Sequence, residues 1–310
     1  MKNRRSNISD SVRKELEFDK VLSLLQGFAQ SSANKERIRS MSILRNSEKL
    51  NYNLDLLEEF KFIESDSNFP HFEYISLSYI IKYLKIQNSV LSEDHIFDIY
   101  SASNWVNSLI NFLGNNEYIT PNIDQFIIGL KKSFVIKKRI DKVFTPKRYI
   151  RSNASDSLVK IRDKISKKRV LVDKYFKDSK IHYMQLGYLA DIKESFADGI
   201  SLLAVSSEFK RKIKGRVRTQ SKTKSISFIE PDKCISLNRE ISHLIEDEKE
   251  EIRKILRLLS DDLRGHFDRI NLTLYLFEEL DFLNAKLKLS KLMFANKPKV
   301  SDYRKIEIKD

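Results

Sequence analysis

Apolar residues recur at three- and four-residue spacing along most of the chain, so the pattern predicts helices. Between Val12 and about Leu130, LEFDKVLSLLQGFAQ places Leu16, Val21, Leu24, Leu25 and Phe28 on one face of a first helix. KLNYNLDLLEEFKFIE turns Leu50, Leu54, Leu57 and Phe60 inward, and NFPH breaks the run. SLSYIIKYLKI and SEDHIFDIYSASNWVNSLINFL predict two more helices, with Ser92 as the N-cap of the second. ITPNIDQFIIGLKKS predicts another, starting at Pro121, whose fixed φ suits a first helical turn. These segments read as a helical bundle.

From Asn153 the pattern becomes a seam. Leu158, Ile161, Ile165, Lys168, Val172 and Tyr175 are spaced as in a heptad, with one polar step at Lys168. A matching series, Ile241, Ile245, Glu248, Ile252, Ile255 and Leu259, has its polar step at Glu248. Two such helices predict an antiparallel pair, although spacing alone does not decide whether Lys168 and Glu248 meet. Between them, GISLLAVSSEF, KIKGRVR and SISFIEP carry strand-like alternation. The segment 266–296 has apolar positions on more than one side and is expected to return into the core, and KPKVSDYRKIEIKD opens like a strand.

Composition supports this picture. Seven glycines and five prolines in 310 residues favour long helices over a loop-rich β fold. One cysteine, Cys234, excludes a disulfide framework and fits a reducing compartment. No apolar run follows the basic start, and LTLYLFEELDFLNAKLKLSKLMFA is interrupted by charges, so a cytoplasmic protein without membrane spans is expected. The net charge of +14 is localised: residues 131–180 hold 18 Lys or Arg against 5 acids, and residues 181–231 hold 9 against 5, whereas the flanking segments are near neutral. A basic middle of this kind predicts a polyanionic partner surface.

Catalytic constellations are missing from the sequence. No glycine spacing builds a P-loop, and His71, His95, His182, His243 and His266 show no metal-ligand spacing. Cys234 has no histidine at helical spacing, and acid pairs such as Glu58–Glu59 fit solvated helix faces. The chain by itself is expected to be no enzyme and to carry no cofactor or metal.

The order of these segments resembles the amino-terminal part of MutS-family proteins, and within them the second bacterial paralogue group, which lacks the mismatch-reading domain and is linked to recombination control. LEFDKVLSLLQGFAQSSANKERI resembles that group's first core helix, IRSNASDSLVKIRDKI its entry into the ascending lever, and FKRKIKGRVRTQSKTKSISFIEP its clamp. EISHLIEDEKEEIRKIL resembles the descending lever and LFEELDFLNAKLKLSKLM the helix returning to the core. The resemblance implies a mainly α fold: a helical core bundle plus long antiparallel lever helices carrying a small β-containing clamp insert. Its divisions are a core over 1–150, an ascending lever over 151–185, a clamp over 186–231, a descending lever over 232–265 and a return to the core over 266–310. It also implies dimeric full-length members with a carboxy-terminal ATPase domain, so ATP and Mg are expected only where such a domain follows. The clamp departs from the family at Lys224, where a glycine is usual, and at Ile200, Ala204 and Arg218–Thr219.

Residues 209–231 hold eight Lys or Arg against one acid, Glu230. As one extended strand, 212–218 would set Lys212, Lys214, Arg216 and Arg218 in a row about 7 Å apart, with Ile213 and Val217 facing the other way. Such a row tracks backbone phosphates without reading bases. With Lys210, Lys222 and Lys224 added, these seven residues are the expected DNA contacts, on duplex or branched DNA. Two other partners fit the pattern, structured RNA or a ribosome gripped by the same arm, and a protein bound by a purely structural coiled-coil module.

Overall fold

A computed structural model describes residues 10–42, 44, 46–115, 119–127, 134–300 and 307. In chain order the elements are α1 (Asp10–Glu15), α2 (Phe18–Phe28), α3 (Ser32–Arg39), α4 (Ser47–Glu64), α5 (Ser78–Leu84), α6 (Glu93–Asn115), α7 (Pro121–Ile127), α8 (Phe134–Val143) and α9 (Asp156–Gln185). There follow β1 (Leu189–Ala197), β2 (Ile200–Ser206), β3 (Gly215–Gln220), β4 (Ile226–Pro231), α10 (Asp232–Arg264) and α11 (Phe267–Leu292). The fold is mainly α with one small antiparallel sheet, and it divides into two compact units, 1–141 with 257–310, and 142–256.

The first unit is built around α11, which contacts α2, α3, α4, α5 and α6. Because neighbours surround it, α11 buries residues on several sides, among them Ile270, Leu276, Phe277, Leu280, Phe282, Leu283 and Leu287. Its buried Asp281 needs compensation, and the turn between α2 and α3 supplies it. Gln30 and Ser31 donate backbone N–H groups to the carboxylate at 2.9 and 3.0 Å, and Asn34 Nδ2 donates at 3.0 Å. Ser31 also caps α3 by accepting from Ala33 N and Asn34 N. The polar residues of QSSAN thus lock the first hairpin onto the central helix.

Ser92 accepts from His95 N at 3.2 Å, as an N-cap should, and α7 starts at Pro121. The expected continuation of that helix over 128–133 lies outside the described residues, as does most of the strand-like tail. Two expected faces are corrected. Glu17, at φ 50, separates α1 from α2; Leu16 is 69% and Leu24 50% exposed, whereas Leu25 is buried as expected, Val21 and Phe28 are half-buried, and Leu22 is buried in addition. In α4 the core positions are Leu56, Phe60 and Ile63, and Leu50, Leu54 and Leu57 are half-buried.

In the second unit, Ser155 caps α9 by accepting from Leu158 N at 3.1 Å and donates to Glu251 at 2.7 Å. The seam of α9 buries Leu158, Ile165, Val172, Phe176 and Tyr183. Val172, Phe176 and Tyr183 form one core cluster with Leu203, Val205, Ile213 and Ile229, and with Cys234 and Ile241 of α10. The polar steps do not meet: Arg162 pairs with Glu248 at 2.7 Å, and Lys168 with Glu240.

The sheet order is β1-β2-β4-β3, all antiparallel. β2 is buried from Leu202 to Val205, which fits its continuous apolar run. Asp198 and Gly199, both at positive φ, form the two-residue turn from β1 into β2. Strand β1 has no counterpart in the sequence reading. It is an edge strand with a register irregularity and mostly exposed residues, so LADIKESFA shows no apolar face to betray it.

Candidate nucleic-acid interface

The basic stretch does not form one strand. Phe209 closes a short 3-10 turn, and Lys210 N and Lys212 N donate to Ser207 O and Phe209 O, so residues 210–214 fold as turns. Ile213 is anchored in the core cluster, and Lys214 N donates to the Tyr183 hydroxyl at 3.1 Å. β3 begins only at Gly215, where a Cβ would lie 2.4 Å from Glu230 O and 2.7 Å from Ile229 Cγ2. That close approach requires glycine. A second irregularity interrupts the register between Val217 and Thr219. The expected row of Lys212, Lys214, Arg216 and Arg218 is therefore corrected: the first two sit in turns, and the bulge resets the side-chain alternation at the fourth. Ile213 and Val217 also part company, one buried and the other 44% exposed.

Two of the seven expected contacts have partners within the protein. Arg218 Nε donates to Glu230 at 2.8 Å, its Nη2 forms the same ion pair, and Asn238 Nδ2 donates to the other carboxylate oxygen at 2.7 Å. The Glu230 side chain is 0% exposed, so Arg218 is the counter-charge that makes its burial tolerable. Lys212 lies over the rings of Tyr188 and Phe209 at 5.5 and 5.4 Å, and those rings stack with centroids 4.8 Å apart. This aromatic platform holds the turn, and its rings are partly buried against the core.

Lys210, Lys214, Arg216, Lys222 and Lys224 are exposed and, among the described residues, carry no ion pair, and Arg211 joins them. Arg211 was missed because an assumed strand put odd-numbered residues on the inner face, a parity that fails in a turn. Lys224 stands at φ 57, in the left-handed region that favours glycine. Its N–H donates to Ser221 O at 2.8 Å, and its own carbonyl accepts from Ser207 Oγ at 2.6 Å. The β3–β4 turn is thereby fixed, and it presents Lys222 and Lys224 on a rigid support.

Cys234 follows this region at the start of α10. Burial pushes its thiol up to about 11, and the Glu230 and Asp173 carboxylates add to the effect. Among the described residues no three His, Cys, Asp or Glu side chains are grouped to hold a metal ion, and no helix is long and apolar enough to cross a membrane.

No protein-family model matches the chain. It is 28% identical, over 97% of its length, to "Endonuclease MutS2" of Caldicellulosiruptor saccharolyticus, and 23% identical, over 93% of its length, to the protein of that name from Aquifex aeolicus. The same-named protein of Clostridium perfringens is 26% identical over 98% of the chain. The chain spans 38% of the length of each of these relatives. A similarity that runs along nearly all of the chain marks it as a MutS-related protein.

Proposed function

We propose that the chain is the core, lever and clamp region of a MutS-like protein of the second bacterial paralogue group, and that its clamp grips duplex or branched DNA without reading sequence. The observation that carries this reading is the set of six exposed cations that form no ion pair among the described residues, Lys210, Arg211, Lys214, Arg216, Lys222 and Lys224, on a tip fixed by the Glu230 pair and the aromatic platform. Cations at scattered angles suit a flexible polyanion path and give no fixed fork for base edges, so their use is phosphate neutralisation. Aromatic stacking of single strands is disfavoured, because Tyr188 and Phe209 already stack on each other. In this reading no nucleotide or metal binds the chain itself, and ATP and Mg belong to the ATPase domain of longer family members.

The test is the salt dependence of duplex and junction binding, measured by fluorescence anisotropy. Each phosphate neutralised contributes about 0.9 to the log–log slope, so the six cations contribute about 5. Changing all six to glutamine should lower the slope by about that amount while the circular dichroism spectrum is retained. An unchanged slope refutes the clamp reading. Preferential binding of ribosomal RNA over a matched junction would reassign the same surface to RNA.

A further inference from the structure

The two long helices of the second unit manage their surface charge differently. On α10 three outward cations pair along the helix, Lys249 with Glu246, Arg253 with Glu250, and Lys254 with Glu251, while Arg239 and Arg257 are exposed beside them. That interleaving of signs is what solvation alone requires. On α9 the cations that face α10 are also satisfied, Arg162 by Glu248 and Lys168 by Glu240. The outward side of α9 differs. Lys167, Lys174 and Lys177, at spacings of 7 and 3, fall within about 80° of one another on the helix, with Asp163 and Asp178 in the same sector, and Lys164 flanks them about 140° around from Lys177. Lys167 has an exposed partner in Asp163 at 2.8 Å, whereas Lys164, Lys174 and Lys177 are exposed and, among the described residues, have no carboxylate within ion-pair distance. Val170 lies 65% exposed among them.

We infer that this side of α9 is a second phosphate-binding strip, which extends the grip of the tip along a nucleic-acid backbone. From Lys164 to Lys177 the helix rises about 20 Å, the length of roughly six base pairs. The inference rests on the clamp reading for the class of partner but on different residues for its evidence. Each lysine on the strip adds an attraction screened by salt, with no base contact, so the strip changes affinity and minimum site length and leaves sequence preference unchanged.

The experiment uses the whole chain and two variants, a strip variant (Lys164→Gln, Lys174→Gln, Lys177→Gln) and the six-residue tip variant. Glutamine keeps helix propensity close to that of lysine, and circular dichroism checks folding. Binding to a 30-base-pair duplex is measured over a range of salt concentrations. The strip variant should lower the slope by roughly 2 to 3, and the tip variant by about 5. A strip variant that binds as the wild type overturns the inference, and the tip reading stands on its own result. A tip variant that binds as the wild type, with the strip variant weakened, overturns the tip reading and keeps the strip. Loss of polyglutamate binding without loss of duplex binding in the strip variant would assign the face to an acidic protein and overturn the inference.

Discussion

Replacing Arg218 tests whether the tip is held by its buried ion pair. In Arg218→Met the Glu230 carboxylate stays fully enclosed and keeps only the neutral donor Asn238 Nδ2 at 2.7 Å. Breaking a buried pair from one side costs about 3–5 kcal/mol. The Arg218 side chain is 36% exposed, so water can enter beside the carboxylate and reduce the cost to roughly 2–3 kcal/mol. Glu230→Gln removes the charge and should cost about 1–2 kcal/mol, because a charge-assisted bond becomes a neutral one. In the double variant no charge is left buried, and its loss should fall short of the sum of the singles by about 1–2 kcal/mol. Urea unfolding followed by circular dichroism gives the three values, and hydrogen exchange at β3 and β4 locates them. A loss under about 0.5 kcal/mol for Arg218→Met, or additive singles, refutes the argument. The double variant should also keep the wild-type salt slope on duplex DNA, since Arg218 is engaged by Glu230 and reaches no phosphate.

Gly215→Ala should destabilise the tip by more than about 2 kcal/mol, because the new methyl would press on the Glu230 carbonyl, and thermal unfolding with hydrogen exchange at β4 reports it. Lys224→Gly relieves a left-handed lysine, so it should raise stability by about 0.5–1 kcal/mol and at the same time reduce the DNA salt slope by about 0.9, two effects of opposite benefit from one substitution. Lys286 of α11 is pushed down to about 8, first by burial and then by the Arg37 guanidinium. The unfolded chain therefore binds the extra proton between about 8 and 10.5, and stability from this group rises with pH across that window. Lys286→Met should abolish this rise and stabilise the protein at pH 7 by about 1–3 kcal/mol in urea unfolding.

Helices were legible because their signals are local. Ser92 and Pro121 mark helix starts by the chemistry of single residues, and the α9 seam repeats over five turns. Faces were less legible where one backbone event resets the phase, as at Glu17 (φ 50) between α1 and α2. Strand β1 was invisible because an exposed edge needs no apolar alternation. The Asp281 network was invisible for another reason: its partners in the α2–α3 turn lie some 250 residues away, and nothing in a single sequence couples them.

At the tip, sequence gave the amount of charge and its approximate place, since a density of lysine and arginine survives any local geometry. Which cations are available was not legible, because that depends on one carboxylate, which takes Arg218, and on the Tyr188 and Phe209 rings, which take Lys212. Glu230 looks like the one acid diluting a basic strand, yet it is fully buried and takes Arg218 out of the exposed set. Arg211, excluded by strand parity, enters that set through the turn at 210–214. The number of available cations therefore changes little while their identities change. A salt slope alone cannot separate the two versions of the tip, but single neutralisations can: Arg211→Gln should reduce the slope by about 0.9, and Arg218→Met made together with Glu230→Gln should leave it unchanged.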